Sequence, residues 1–188
     1  MHVKQYGFTL IEMIAGMVVF GIVATIVSTL LLPLSKQSFD PLWQTRAAEI
    51  SQSLINEISA KAFDENSDVI GGAVRCNETS APACTTAGGL GPDPSETRAS
   101  FDDVDDYHGL ALSGSGIVDA MGNAPLVNGE SIYKGFSAAV SVIYDDNLDG
   151  TDDDPGTGLY VGNTKLITIT VTTPSTDEIK ISILRGNF

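Results

Sequence analysis

Histidine, cysteine and positive charge are all scarce in this chain. Two histidines, two cysteines and one tryptophan occur in 188 residues, and 10 Lys and Arg face 24 Asp and Glu. His2 and His108 are far apart and neither opens a His-Glu-x-x-His run, which excludes a metalloprotease site of that kind. No Gly-x-Ser-x-Gly elbow and no phosphate-loop lysine motif occurs; Gly88-Gly89-Leu90-Gly91 reads as ordinary loop glycine. The chain is therefore read as a non-enzyme. Its net charge of −14 disfavours polyanions, so no nucleic acid is expected as a partner.

Long hydrophobic runs are equally rare, and the single one present is decisive. It extends from Phe8 to Leu32 and beyond, and as a helix it would measure roughly 37 Å, enough to cross a bilayer core. Only Glu12 interrupts it with charge. A carboxylate inside lipid costs roughly 2.5–3.5 kcal/mol or more unless a cation pairs with it. A secretory signal has a shorter apolar core and is cut after that core; here the cuttable glycine, Gly7, precedes it. Gly16 and Gly21, with Thr25, Ser28 and Thr29, suit close helix approach.

Gly7-Phe8-Thr9-Leu10-Ile11-Glu12-Met13-Ile14 resembles the cleavage and methylation signature of type IV prepilins and type II secretion pseudopilins. The resemblance implies cleavage between Gly7 and Phe8 by a prepilin peptidase/methyltransferase, N-methylation of Phe8, and pairing of Glu12 with the new amino terminus of a neighbouring subunit. It implies residence in the inner membrane of a Gram-negative bacterium as a single-pass protein with a cytoplasmic N-terminus, then incorporation into a pilus. The partners implied are major and minor pilins and the inner-membrane assembly platform.

Four segments follow: a leader at 1–7, a transmembrane and assembly helix at 8–34, an amphipathic half of that helix at 35–63, and an exported globular β domain at 64–188. Pro33 and Pro41 are expected to bend or break the helix. Beyond them Trp43, Ala47, Ile50, Leu54 and Ile58 recur at helical spacing as one apolar stripe, with a Glu57–Lys61 pair on the helix surface. Strands are expected at 137–144, 165–173 and 178–184, each alternating apolar with polar residues, the last two joined at 174–177. One apolar face per strand calls for one cover, which the striped helix supplies. The fold class is α+β, a long N-terminal helix packed on a C-terminal antiparallel sheet, as in pilins. Residues 63–68, the Cys76/Cys84 loop, 99–109 and 166–174 further resemble the minor pilins of the mannose-sensitive haemagglutinin (MSHA) pilus.

An exported domain meets an oxidising compartment, so Cys76 and Cys84 are expected to pair. Asp145-Asp146-Asn147-Leu148-Asp149-Gly150 fits the start of an EF-hand-type loop, making Asp145, Asn147, Asp149, the Thr151 carbonyl and Asp153 a possible Ca2+ set; Gly156 stands where such a loop would place its glutamate. The competing reading is a solvated acidic hairpin. Asp102, Asp103, Asp105 and Asp106 before Tyr107 and His108 read as a surface turn with a half-buried tyrosine. Three functions stay open beside the minor pilin: a secretion pseudopilin, a pilus-displayed ligand-binding module and, against the charge, a DNA-capturing pilin.

Overall fold

The computed structural model describes residues 9–37, 40–68, 75–119 and 121–188. The chain divides into two compact units after Leu42. The first contains helix α1 (Leu10–Gln37), whose residues 10–29 are apolar but for Glu12 and the hydroxyls of Thr25, Ser28 and Thr29. Helix α1 continues through Pro33 to Gln37, against the expectation that this proline interrupts it. A proline costs an interior helix about 3 kcal/mol but removes only one backbone bond, and the turns on either side retain theirs. Helix α2 (Asp40–Ser59) begins afresh, with Pro41 in the first turn, where an amide has no intrahelical acceptor to lose.

The second unit is a helix on a sheet. Strands β1 (Ala111–Ser113), β2 (Leu126–Val127), β3 (Glu130–Ser131), β4 (Ser137–Tyr144), β5 (Thr164–Thr172) and β6 (Glu178–Gly186) follow in order. Strands β1, β4, β5 and β6 form one antiparallel sheet in that order, and β2 pairs with β3 separately. Register is set by the apolar alternation: Val140 lies opposite Ile169 and Ile169 opposite Ile181, so one face carries the branched side chains. Ala47, Ile50, Leu54 and Ile58 of α2 pack against that face, in one core with Val140, Val142, Ile167, Ile169 and Val171. Trp43 packs at its margin. The opposite face of β5, with Thr168 and Thr170, remains half-exposed. The turn after β5 closes through Thr173, whose amide donates to the Asp177 carbonyl at 2.9 Å.

Helix α2 stops at Ser59, short of residue 63. Ala62 is captured instead by a parallel bridge to Asp103, its amide donating to the Asp102 carbonyl at 3.1 Å and its carbonyl accepting from Val104 at 3.1 Å. The expected Glu57–Lys61 pair does not form. Glu57 turns inward to Arg98, and Lys61 Nζ donates to the Phe101 carbonyl. A guanidinium offers two parallel donors to a carboxylate, which a lysine cannot match.

Candidate functional site

Glu12 lies in the first turn of α1, exposed like every other described side chain from Thr9 to Thr29. The window Leu10–Thr29 has a mean hydropathy of 2.4 and none of it is buried, which makes it long and apolar enough to cross a membrane. The hydroxyls within it are satisfied by the helix itself: Thr25 Oγ1 donates to Gly21 O at 2.9 Å, Ser28 Oγ to Ala24 O at 2.8 Å, and Thr29 Oγ1 to Ile26 O at 2.8 Å. Glu12 has no such recourse. Nothing lies within 4 Å of a Cβ built on Gly16 or Gly21, so the helix is notched and open there. Gly7 and Phe8, the expected cleavage and methylation positions, lie outside the described residues.

Cys76 and Cys84 are joined in a disulfide with their Cα atoms 4.9 Å apart. The bridge belongs to a second small core with Phe63 and Tyr144. Asn187, near the C-terminus, donates to the Cys76 carbonyl at 3.0 Å and fastens the chain end to the same loop.

The Asp145–Asp153 loop closes upon itself. Asp145, 1% exposed, accepts the amides of Asp149 (2.9 Å) and Gly150 (3.0 Å). Asn147 Oδ1 accepts the Asp149 amide at 2.8 Å, and Asp149 Oδ1 accepts the Thr151 amide at 2.9 Å. Asp153 takes the Asp146 amide at 2.6 Å and the Asn147 side-chain amide at 2.8 Å. These bonds to Thr151 hold the Asp149 carboxyl below its usual range. Backbone donors thus absorb part of the mutual repulsion of the aspartates. Among the described residues, Asp145, Asp149 and Asp153 are not gathered with their oxygens within 4.8 Å; the acidic groups that are so gathered are Glu65 with Asp102 and Asp103, and Glu96 with Asp102 and Asp106. The Asp102 charge and burial push Glu65 up to about 7.

The Asp102–Asp106 segment departs most from expectation. Asp103, Asp105 and Asp106 are buried and Tyr107 is fully enclosed, rather than half-buried on a surface turn. The segment folds as a tight turn whose own amides feed its carboxylates: Asp103 Oδ1 accepts from Asp105 N at 2.6 Å, and Asp106 Oδ2 accepts from Asp102 N at 3.0 Å. Asp105 meets Lys165, whose Nζ is 2.5 Å from Asp105 Oδ1 and 3.4 Å from Asp64 Oδ2. Burial pushes Asp105 up to about 8 and Asp103 up to about 6. Tyr107 donates to Glu57 Oε1 at 3.0 Å, and burial raises its hydroxyl above the ordinary phenol range. His108 turns to β4, with Nδ1 2.7 Å from the Val142 carbonyl.

Residues 3–28 match the family model described as the prokaryotic N-terminal methylation motif. No curated protein and no solved structure matches the chain. That motif runs into the apolar helix, and with the antiparallel sheet that follows it supports a protein of the type IV pilin or pseudopilin kind. The motif also implies processing by a prepilin peptidase and assembly with other pilins.

Proposed function

We propose that the protein is a minor pilin of an MSHA-type pilus, of the D type (MshD), processed between Gly7 and Phe8, N-methylated on Phe8 and assembled through α1. The observation that carries the reading is Glu12, the carboxylate in the first turn of an apolar helix whose hydroxyls at Thr25, Ser28 and Thr29 are bonded to its own backbone. Within a bilayer or a helical bundle such a charge is strongly penalised without a partner. The freed amine of Phe8 on a neighbouring copy is that partner, and repeating the contact head to tail with a rotation that does not close gives a filament. The resemblance of residues 63–68, 99–109 and 166–174 to MSHA minor pilins supports the choice of pilus. Its setting is the inner membrane of a Gram-negative bacterium, N-terminus inside, before incorporation.

The N-terminal motif suits a secretion pseudopilin equally, and neighbouring genes for pilus or secretion machinery separate the two. The direct test is Glu12→Ala in a strain that assembles the filament. The variant is expected to be cleaved normally yet be lost from sheared fibres. Undiminished incorporation, or a mature protein that retains residues 1–7, overturns the reading. The calcium set of Asp145, Asn147, Asp149, Thr151 and Asp153 belongs to this proposal as a loop staple, and its test is argued below.

A further inference from the structure

Lys165 is 0% exposed, and each donor of its ammonium is engaged: Phe63 O at 2.7 Å, Asp105 Oδ1 at 2.5 Å and Asp64 Oδ2 at 3.4 Å. The Phe63 ring lies 4.1 Å from Nζ and the Tyr144 ring 5.3 Å, two aromatic walls that keep water out. Asp64 is 0% exposed and Asp105 2% exposed. The two carboxylates differ in their other contacts. Asp64 is held by backbone amides on both oxygens, from Asn66 to Oδ1 at 3.0 Å and from Thr85 to Oδ2 at 2.7 Å. Asp105 Oδ2 is buried and has no hydrogen-bond partner among the described residues. Such an oxygen is rare in a folded interior and calls for an explanation.

We propose that Lys165 and Asp105 condense spontaneously into an intramolecular isopeptide bond, with Asp64 relaying the proton and the lysine-bound oxygen of Asp105 departing as water. The ammonium first passes a proton to Asp105, leaving a free amine beside a neutral carboxylic acid. Burial favours that exchange, because it removes two charges from a dry site, and it is the same burial that pushes Asp105 up to about 8. The amine lone pair then attacks Asp105 Cγ and forms the new N–C bond. Asp64, which touches the same nitrogen, takes the proton it sheds and returns it to the hydroxyl at Oδ1. The Cγ–Oδ1 bond breaks, one water leaves, and Oδ2 becomes the amide carbonyl. No oxidant is required, and Asp64 ends as it began. The unpartnered Oδ2 ends as a neutral amide oxygen instead of half of a buried carboxylate. Fixed proximity in an enclosed site supplies the rate that the same pair lacks in water.

The bond would fasten β5 to the tight turn at Asp105, across a span of 60 residues. The test is the mass of the full-length protein purified in detergent, measured denatured without reductant and compared with Lys165→Arg. The wild type is expected one water lighter than its sequence, processing and disulfide require, and Lys165→Arg is expected to show no such deficit. Digestion with trypsin is expected to yield a branched peptide joining residues 99–134 to residues 135–180, uncut at Lys165. Asp64→Asn, verified as folded by circular dichroism, is expected to lose the branched peptide. A wild-type mass without the water deficit makes the site a buried ion pair only and overturns the proposal. Undiminished linkage in Asp64→Asn overturns the role given to that carboxylate.

Discussion

Arg98 grips Glu57 with two nitrogens, Nε to Oε1 at 3.0 Å and Nη2 to Oε2 at 2.6 Å, tying the end of α2 to the segment ahead of the Asp102–Asp106 turn. The Glu57 side chain is 5% exposed and that of Arg98 14%. Tyr107 donates to the same carboxylate, so three donors from two side chains share it. Removing one member of a buried pair leaves the other's charge without compensation, at a cost of about 3–5 kcal/mol. Glu57→Ala is therefore expected to lose about that much in chemical denaturation followed by circular dichroism. A loss under about 1 kcal/mol would place the pair among solvent-screened surface bridges.

The disulfide is expected to contribute less. Cys76 and Cys84 are eight residues apart, and closing so short a loop stabilises by about 2–3 kcal/mol on the chain-entropy account. The paired Cys76→Ser, Cys84→Ser variant is expected to fall by that amount and to loosen Phe63 and Tyr144, which pack on the bridge. Near-ultraviolet dichroism of the tyrosines reports the loosening. Unchanged spectra and stability would show that the second core stands without its bridge.

Regular elements were legible from the sequence because alternation and helical spacing are local signals. Strand β4 occupies the expected residues, and β5 and β6 differ from expectation only at their ends. The stripe through Ala47, Ile50, Leu54 and Ile58 is the buried face of α2. The polar interior was not legible, because it depends on which distant segments meet. Asp105 and Lys165 are separated by 60 residues, and no local pattern links them. One signal was available. Lys165 is in phase with Ile167, Ile169 and Val171, so the alternation that buries those three buries the lysine too, and a buried lysine requires a carboxylate. Four aspartates in five residues read as solvated for want of a visible partner; their own backbone amides supply much of what water would.

Asp103 gives the fold a pH dependence whose sign is opposite to that of an ordinary salt-bridged aspartate. Burial, reinforced by the neighbouring Asp106, pushes its carboxyl from 3.8 up to about 6. The folded state therefore holds a proton that the unfolded chain has released. Its contribution is fully present below about pH 4, fades as pH climbs through the window from 3.8 to about 6, and is absent above it. Asp103→Asn keeps an acceptor for the amides of Asp105 and Asp106 while removing the titration. Urea midpoints measured across that window are expected to decline with pH less steeply in the variant. Parallel curves for variant and wild type would assign the titration elsewhere.

The Asp145 loop separates a folding role from a binding one. Asp145 is buried and accepts two amides, so Asp145→Ala strands Gly150 N, leaves Asp149 N only its bond to Asn147 Oδ1, and costs about 1–3 kcal/mol whether or not calcium is present. Asp149 is exposed, and the amide and hydroxyl of Thr151 that it accepts are exposed too, so Asp149→Ala is expected to change stability in chelator by under about 0.5 kcal/mol. The two variants thus distinguish a scaffold residue from a ligand. If calcium staples the loop, it draws Asp145, Asn147, Asp149 and Asp153 toward one ion, and full-length protein titrated with calcium gives a saturable heat and a raised melting temperature, both missing in Asp149→Ala. A flat titration of the wild type removes calcium from the account and leaves the hairpin to its own amides.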